Sequence, residues 1–329
     1  MSLAIDEAWN YQLLTYPNPA VGAVIVSKNG ELLAVSAHKQ AGYAHAEVLA
    51  IRDAYVQLSG DRELIKCNDA HLLHFELIKR AGSLFSQATI YVTLEPCNHT
   101  GKTPSCANLI AALKFKRVVI GAMDPNSKAA GGVKRLKNAG IEVVQGVENR
   151  ACNQLIEPFI KWQNGRFIFF KLAQTINGVI DGGIISCRYS REWVHKVRSR
   201  LDLLVIGGNT VRIDRPTLDS RLINAKAPNI AILTSHPDSF DPTIPLFQVP
   251  NRKVFFIDSI DKLPQRGLIM IEGGAGTLKT LLKLIDWMVL FISPSIKEGA
   301  CYNVKKNFEL LHQARMDCDT MLWLKVNHG

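Results

Sequence analysis

The chain has 329 residues, of which 47% are hydrophobic and 21% are charged, a composition that excludes wholesale disorder and fibrous repeats. Its length predicts two domains. No apolar run approaches the roughly 18 residues that span a bilayer, and residues 1–7 include acidic residues but no basic stretch. We therefore expect a cytoplasmic protein without a membrane partner. The net charge of +10 favours anionic partners such as nucleic acid or phosphorylated small molecules.

The first half of the chain alternates strands and helices. The apolar residues 21–26 and 31–35 flank the tight Asn29-Gly30 turn and predict a β-hairpin. Apolar residues recur every three or four positions over residues 44–58, which predicts a helix. Further strands are predicted at 89–94, 117–121 and 141–144, further helices at 105–113 and 132–140, and a partly helical insert at 60–86. This order predicts a three-layer α/β domain over residues 1–147.

The second half has the same alternating character. Residues 148–165 are polar with two helical turns and are predicted to be a connector. A second α/β domain is predicted over residues 166–329. Its strands are predicted at 166–172, 203–206, 229–233, 253–257, 268–272 and 288–293.

Three residues of the first half have the chemistry of a zinc site. His45 begins a predicted helix, Cys97 follows a predicted strand, and Cys106 lies in the first turn of the next helix. One imidazole and two thiolates suit Zn²⁺, and three protein ligands leave the fourth tetrahedral position for water, as in catalytic sites. A closed structural site is the alternative, with His99 as the fourth ligand.

Glu47 lies two residues after His45 and is predicted to act as a base rather than as a ligand. It would take the proton of an activated water and return it to a ring nitrogen and to leaving ammonia. The His-Ala-Glu and Pro-Cys segments match the pattern of zinc nucleobase deaminases. The spacing departs from that pattern, because eight residues rather than two separate Cys97 from Cys106.

Two glycine-rich turns follow predicted strands in the second half. They lie at residues 273–277 and 207–210. Such turns let backbone N–H groups approach a pyrophosphate at the start of a helix, although a lone one is often only a tight connection. Two of them, close to several basic residues, indicate a phosphorylated cofactor and substrate.

Family-like segments lie in order along nearly the whole chain. The most specific is the zinc loop, residues 95–106, which reads EPCNHTGKTPSC. The others are residues 17–24, 38–47, 124–126, 171–173, 177–178, 207–221 and 271–274. Together they resemble the bifunctional riboflavin-biosynthesis deaminase–reductases, the RibD family.

This resemblance implies two successive reactions on two folds. The N-terminal domain, a cytidine-deaminase-like α/β/α sandwich, would use Zn²⁺ to deaminate 2,5-diamino-6-ribosylamino-4(3H)-pyrimidinone 5′-phosphate hydrolytically. The C-terminal domain, α/β and similar to dihydrofolate reductase, would use NADPH to reduce the ribosyl group to ribityl. The expected partners are this phosphorylated pyrimidine and NADPH, without nucleic acid, and we expect a homo-oligomer.

The resemblance also implies roles for individual residues. The substrate contacts around the zinc would be Asn18, His38, His99, Lys102, Asp124 and Asn126. The substrate contacts of the reductase would be Lys171, Arg198, Leu218, Arg221 and Glu272. The NADPH site would be lined by Gln174, Ser186, Thr210, Asp214, Gly274, Ala275, Gly276, Thr277, Leu278, Lys279 and Thr280. The plainer alternatives are a solvated helix charge for Arg198 and a turn-forming carboxylate for Asp214.

The loop between residues 178 and 186 departs from the family. It is short, and Ile184 stands where the family carries an aromatic residue. A different hypothesis is therefore kept open: a zinc deaminase that acts on RNA or free nucleotides, with a degenerate, non-reducing second domain. Against it, the sequence shows no basic stripe with interleaved stacking aromatics.

Overall fold

A computed structural model describes residues 1–67, 69–101, 103–126 and 129–328. The chain folds into two compact units, Met1–Ile160 and the residues from Lys161 onward. The predicted connector is one continuous helix, Asn149–Asn164, and the boundary between the units falls inside it. In the part of the chain that the structure describes, no helix is both long and apolar enough to cross a membrane.

The first unit contains a five-stranded sheet with helices packed against it. A 3₁₀ turn, Glu63–Lys66, and a helix, Ala70–Ala81, form the insert. In chain order the elements are α1 (Ser2–Trp9), β1 (Gly22–Val26), β2 (Leu32–Ala37), α2 (Ala46–Ser59), α3 (Ala70–Ala81), β3 (Thr89–Leu94), α4 (Cys106–Ala112), β4 (Arg117–Ala122), α5 (Gly132–Asn138), β5 (Glu142–Gln145) and α6 (Asn149–Asn164).

The order of strands in this sheet places the loops that carry chemistry. The order is β2-β1-β3-β4-β5, with β1 antiparallel to β2 and β3, and with β3, β4 and β5 mutually parallel. The carboxyl ends of parallel strands meet at one edge of a sheet. The loop after β3, which carries Cys97, and the loop after β4, which carries Asp124, therefore leave the same edge.

Local sequence accounts for several of these elements. The hairpin predicted around Asn29-Gly30 is present as β1 and β2, and Gly30 has the positive φ of 86° that its turn requires. Helix α2 is followed by Gly60, which takes the left-handed conformation common after helices. A Cβ atom at Gly22 would lie 1.8 Å from the Ala4 carbonyl oxygen, so only glycine lets α1 pack this closely on β1.

The second unit contains an eight-stranded sheet and three helices that follow α6. In chain order its elements are β6 (Arg166–Thr175), α7 (Arg188–Arg198), β7 (Leu203–Gly207), α8 (Gly208–Asp214), β8 (Ile230–Leu233), β9 (Val254–Ile257), β10 (Gly267–Glu272), α9 (Ala275–Leu281), β11 (Trp287–Ser293), β12 (Phe308–Met316) and β13 (Asp319–Val326). Short 3₁₀ turns occur at Arg221–Ile223, Pro237–Ser239, Pro245–Gln248 and Ile260–Lys262.

The order of the second sheet is β12-β13-β11-β6-β10-β7-β8-β9. The strands from β11 to β9 are mutually parallel, and β13 and β12 add an antiparallel edge. Every residue of β10 is buried, as expected of a central parallel strand covered on both faces. The carboxyl ends of β6, β10 and β7 consequently open on one side, next to the two glycine-rich turns.

Several elements of the described structure had no predicted range, among them α1, α7, α8, β12 and β13. Helix α1 is only eight residues long, and β12 mixes half-buried and exposed positions without strict alternation. Short or edge elements are stabilised by their tertiary neighbours, and their local patterns are correspondingly weak.

Candidate functional site

The structure brings together His45, Cys97 and Cys106. His45 immediately precedes α2, Cys97 lies in the loop after β3, and Cys106 is the first residue of α4. The Nδ1 atom of His45 lies 3.7 Å from Cys97 Sγ and 3.4 Å from Cys106 Sγ. The three possible ligand atoms lie within 4.8 Å of one another.

These separations suit a tetrahedral zinc ion. Ordinary Zn–N and Zn–S bond lengths place a nitrogen and a sulfur ligand about 3.6 Å apart at a tetrahedral angle. The hydrogen bond from Cys106, followed by the effect of His45, lowers the pKa of the Cys97 thiol, and the same contact raises the pKa of Cys106, so of the two sulfurs Cys97 is the one at which the thiolate is favoured. Among the described residues, the ligand cluster holds these three side chains and does not include His99.

Two residues that the sequence reasoning missed hold the ligands in place. Thr103 Oγ1 lies 3.2 Å from His45 Nε2, the ring nitrogen turned away from the two sulfurs. A hydrogen bond at that nitrogen fixes the orientation of a ligating imidazole. Ser105 caps α4 by accepting from the Asn108 N–H, and its hydroxyl donates to the Cys97 carbonyl oxygen at 2.8 Å. The predicted helix begins at residue 105, and a serine at the start of a helix is a residue type that favours such a cap.

Glu47 lies in the first turn of α2 with only 4% of its surface exposed. Burial raises the pKa of its carboxyl group to about 7, against the opposing effect of His45. The carboxyl group is also hydrogen-bonded to Cys106. A buried carboxyl group beside a metal-ligand cluster, with a pKa near neutrality, can both accept and release a proton.

His38 and Asn18 form a hydrogen-bonded pair beside His45. Burial, followed by the effect of His45, lowers the pKa of His38 to about 4, so its ring is neutral at pH 7. Its Nδ1 lies 3.2 Å from the Ala44 carbonyl oxygen, which can only accept, so Nδ1 carries the proton. Its Nε2 therefore accepts from the Asn18 amide at 3.0 Å. The rings of His38 and His45 meet edge to face at 5.3 Å.

Asp124 and Asn126 lie in the loop after β4 and are organised by Glu95. The Glu95 carboxylate is 3% exposed and accepts from the backbone N–H groups of Gly131, Val133 and Asp124 at 3.0–3.4 Å. The Asp124 carboxylate in turn accepts from the Asn126 N–H at 2.8 Å. Burial raises the pKa of Asp124. Glu95 belongs to the zinc loop, yet the sequence did not predict that its carboxylate would bind the backbone of the loop after β4.

The last two predicted substrate contacts of the first unit belong to the zinc loop. His99 is exposed, and its ring lies close to Gly101: a Cβ atom added at that glycine would be 3.2 Å from His99 Nε2. Lys102 lies outside the described residues.

The second unit has a cleft of about 1340 Å³ at the carboxyl ends of its central strands. All five predicted substrate residues of this unit line it: Lys171, Arg198, Leu218, Arg221 and Glu272. Lys171 and Glu272 are directly paired in the parallel register of β6 and β10. Chain positions about a hundred residues apart are thus neighbours on the floor of the cleft.

Arg198 and Glu272 form an ion pair on the cleft wall. The guanidinium of Arg198 donates to both carboxylate oxygens at 2.9 Å, and each side chain is 11% exposed. Burial alone would raise the pKa of Glu272, but the charges of Arg198 and Lys171 outweigh it and lower that pKa. Burial lowers the pKa of Lys171. Arg198 is therefore not a solvated helix charge.

The two glycine-rich turns meet at one side chain, that of Thr277. A Cβ atom at Gly207 or at Gly273 would lie less than 3.0 Å from Thr277 Oγ1. Gly273 also has φ 152°, which L side chains rarely adopt. The glycines therefore allow the two turns to converge at the opening of the cleft.

Known proteins resemble both halves of this chain. The family described as the cytidine and deoxycytidylate deaminase zinc-binding region matches residues 1–122, and the RibD C-terminal domain matches residues 166–299. The riboflavin biosynthesis protein RibD of Aquifex aeolicus is 31% identical over 90% of this chain and 86% of its own length. This chain belongs to the RibD family. The RibD of Synechocystis is 38% identical over 68% of this chain, and that alignment spans 55% of the relative's length.

Solved RibD structures agree with this membership. The deaminase/reductase of Thermotoga maritima has a TM-score of 0.66 at 26% identity, covering 99% of this chain and 97% of that one. Acinetobacter baumannii RibD has a TM-score of 0.65 at 26% identity over the same coverage. The predicted fold class, a cytidine-deaminase-like α/β domain followed by a RibD reductase domain, is confirmed. The RNA-directed deaminase with a degenerate second domain is not favoured, because RibD relatives match through both halves.

Most of the residues that the RibD resemblance assigns to NADPH lie on the cleft. Those that line it are Ser186, Thr210, Asp214, Gly274, Ala275, Gly276, Thr277 and Thr280. Gln174, Leu278 and Lys279 do not line it. Leu278 is 2% exposed and packs into the hydrophobic core, while Gln174 lies on β6 beyond Lys171, Leu172 and Ala173, the residues of that strand that line the cleft.

Two further features of the RibD cleft concern its rim and wall. Ile184, at the position where the family carries an aromatic residue, lines the cleft and is 69% exposed. His195, which the sequence reasoning missed, also lines it, and its Nδ1 accepts from the Leu222 N–H at 3.3 Å. Burial lowers the pKa of His195 to about 4, so a neutral ring makes this bond. The signal that could have revealed His195 is its position on α7, one turn before Arg198.

Proposed function

We propose that this chain catalyses two successive steps of riboflavin biosynthesis. The first is hydrolytic deamination of 2,5-diamino-6-ribosylamino-4(3H)-pyrimidinone 5′-phosphate, and the second is NADPH-dependent reduction of the ribosyl side chain to ribityl. The Thermotoga maritima structure is named as a deaminase and a 5-amino-6-(5-phosphoribosylamino)uracil reductase. We assign the first step to residues 1–147 and the second to residues 166–329, with residues 148–165 as the connector.

One observation carries the deaminase assignment: the cluster of His45, Cys97 and Cys106 with the buried carboxyl group of Glu47 against it. A zinc ion held by these three side chains would supply the Lewis acidity that brings the pKa of water to about 7. Glu47 accepts the first proton of the water and delivers it to the ring nitrogen, then takes the proton of the hydroxyl group that has added to the ring and delivers it to the amine, which leaves as ammonia as the carbonyl forms.

The surrounding polar groups suit the recognition of a pyrimidine. The neutral His38 and its partner Asn18 present hydrogen-bonding atoms beside the metal ligands. Asp124 and Asn126, held by Glu95, approach from the loop after β4. His99 and Lys102 keep their assignment as substrate contacts from the family resemblance, with Lys102 in the role of a phosphate ligand.

The cleft of the second unit suits a dinucleotide and a phosphorylated substrate. NADPH, when bound, supplies the hydride. The glycine-rich turns at residues 207–210 and 273–277 leave backbone N–H groups accessible to its pyrophosphate. Lys171 and Arg221 are the basic side chains assigned to the substrate phosphate. The guanidinium of Arg221 also donates to Asp219 at 2.7 Å, and that of Arg198 is held by Glu272. A cytoplasmic location, a homo-oligomeric state and the absence of a nucleic-acid partner stay predictions from the sequence.

The experiment that tests this proposal measures each half-reaction separately. Purified protein is expected to contain about one zinc per chain and to release ammonia from the diaminopyrimidinone nucleotide. Glu47→Ala should abolish ammonia release while leaving NADPH oxidation on 5-amino-6-(5-phosphoribosylamino)uracil unchanged. Glu31→Ala, which removes an exposed carboxylate of the β1–β2 hairpin, is the control. Deamination by Glu47→Ala at the parental rate would contradict the assigned proton transfer.

A further inference from the structure

A strained loop forms one wall of the reductase cleft. This substrate loop, residues 217–222, connects α8 towards β8, and four of its residues line the cleft: Thr217, Leu218, Arg221 and Leu222. Leu218 has φ 55°, in the left-handed region that residues with a Cβ atom rarely occupy. Such a conformation persists only where its surroundings hold it.

Arg252 holds this loop from behind. Its guanidinium donates to the carbonyl oxygens of Thr217 at 2.6 Å and of Leu218 in a short hydrogen bond. The same group donates to the carbonyl oxygens of Pro228 at 3.0 Å and of Leu246 at 3.3 Å. One side chain therefore ties the substrate loop to the start of β8 and to the 3₁₀ turn Pro245–Gln248.

The chemistry of this contact requires an arginine. The four carbonyl oxygens belong to three separate segments, and only a planar fork with donors on three nitrogens reaches them together. Burial lowers the pKa of Arg252 to about 10, so the group is still a cation at neutral pH. A lysine would place one ammonium among these carbonyl groups and leave some of them without a donor.

The other side chains that hold the loop lie on the cleft itself. Arg198 donates to the Asp219 carbonyl oxygen at 3.2 Å, and His195 accepts from the Leu222 N–H. Both residues line the cleft, whereas Arg252 does not. Arg252 thus acts on the conformation of Leu218 without reaching the space that substrate would fill.

We propose that Arg252 is a positioning residue of the reductase site, which fixes the backbone of residues 217–218 so that Leu218 and Arg221 meet the substrate. This inference rests on the proposed reductase function. The loop of residues 217–222 carries predicted substrate contacts, while the glycine-rich turns assigned to NADPH lie elsewhere. Loss of Arg252 should therefore weaken the use of the deaminated intermediate without weakening NADPH binding.

The test uses the full-length protein with Arg252→Ala and Arg252→Lys, and with Lys253→Ala as the matched control, since the neighbouring Lys253 is exposed. We expect both Arg252 variants to lose about 100-fold in kcat/KM for 5-amino-6-(5-phosphoribosylamino)uracil, as misplaced binding groups do. The dissociation constant of NADPH and the rate of ammonia release should match those of the parent. Added guanidinium chloride at millimolar concentration should restore part of the activity of Arg252→Ala.

Two results would overturn the proposal. Parental kcat/KM in Arg252→Lys would show that the guanidinium fork is not needed. A joint loss of NADPH affinity and thermal stability in Arg252→Ala, without rescue by guanidinium, would show that the residue serves folding alone. Failure of the proposed function has a different signature, because the parent protein itself would then not oxidise NADPH with the deaminated intermediate.

Discussion

Replacing Glu272 by glutamine should destabilise the second unit far more than replacing a surface carboxylate. Glu272→Gln keeps the shape of the side chain and removes its charge. Arg198, which donates two hydrogen bonds to that carboxylate, and Lys171, its register partner, would then be cations without a counter-charge. Both members of the ion pair are 11% exposed, and removing one partner from such a buried pair costs about 3–5 kcal/mol.

Thermal unfolding followed by tryptophan fluorescence measures this cost. Four of the five tryptophans of the chain, those at positions 162, 193, 287 and 323, belong to the second unit. At about 2–4 °C per kcal/mol for a unit of this size, the midpoint should fall by about 6–20 °C. The control is Glu192→Gln, which breaks the exposed Arg188–Glu192 pair and should cost about 0.5 kcal/mol or less.

The pH dependence gives the same reasoning a second check. Although burial opposes ionisation, the charges of Arg198 and Lys171 lower the pKa of Glu272. The ionised carboxylate of Glu272 therefore stabilises the folded protein fully at pH values above the pKa of glutamate in the unfolded chain. This stabilisation is lost as the pH falls through the lower pKa that Glu272 has in the folded protein. The difference in the midpoint of thermal unfolding between the parent and Glu272→Gln should therefore become smaller as the pH is lowered. Equal midpoints for Glu272→Gln and Glu192→Gln at neutral pH would refute the argument.

Three further predictions address the other parts of the two sites. Cys106→Ser should lower the zinc content measured by atomic absorption and abolish ammonia release, and parental zinc content would exclude Cys106 as a ligand. Gly273→Ala should weaken NADPH binding by at least about tenfold, because its Cβ atom would meet Thr277 at 2.7–2.8 Å. Gly165→Ala is the control, because Gly165 does not line the cleft and a Cβ atom there would have its nearest neighbour at an ordinary 3.6 Å, so this variant should bind as the parent does in a fluorescence titration. Glu95→Gln should lower the free energy of unfolding, measured in urea, by about 2 kcal/mol, because a charged acceptor of three backbone N–H groups becomes an amide. An unchanged unfolding midpoint would show that these hydrogen bonds do not stabilise the protein.

Much of the fold could be predicted from local patterns. The Asn-Gly turn, the helical period of residues 44–58 and the alternation of strands with helices predict the β1–β2 hairpin, α2 and an α/β architecture, and all three are present. The zinc ligands were predicted for a similar reason. Their residue types are scarce, and each stands at the end of a strand or the start of a helix, where the direction of the backbone is already limited.

The contacts that complete the sites depend on tertiary structure. Glu272 meets Lys171 because β10 lies beside β6 in a particular register, and Arg198 at the end of α7 reaches the same carboxylate. Thr277 fills the space between two glycine-rich turns that are far apart in the chain. Periodicity shows which face of an element is buried but carries no information about which distant segment covers it. The amino-acid sequence alone therefore determined the chemical groups and the elements that carry them. Only the packing of strands and loops decided that Arg252 supports Leu218 and that Glu95 clasps the loop of Asp124.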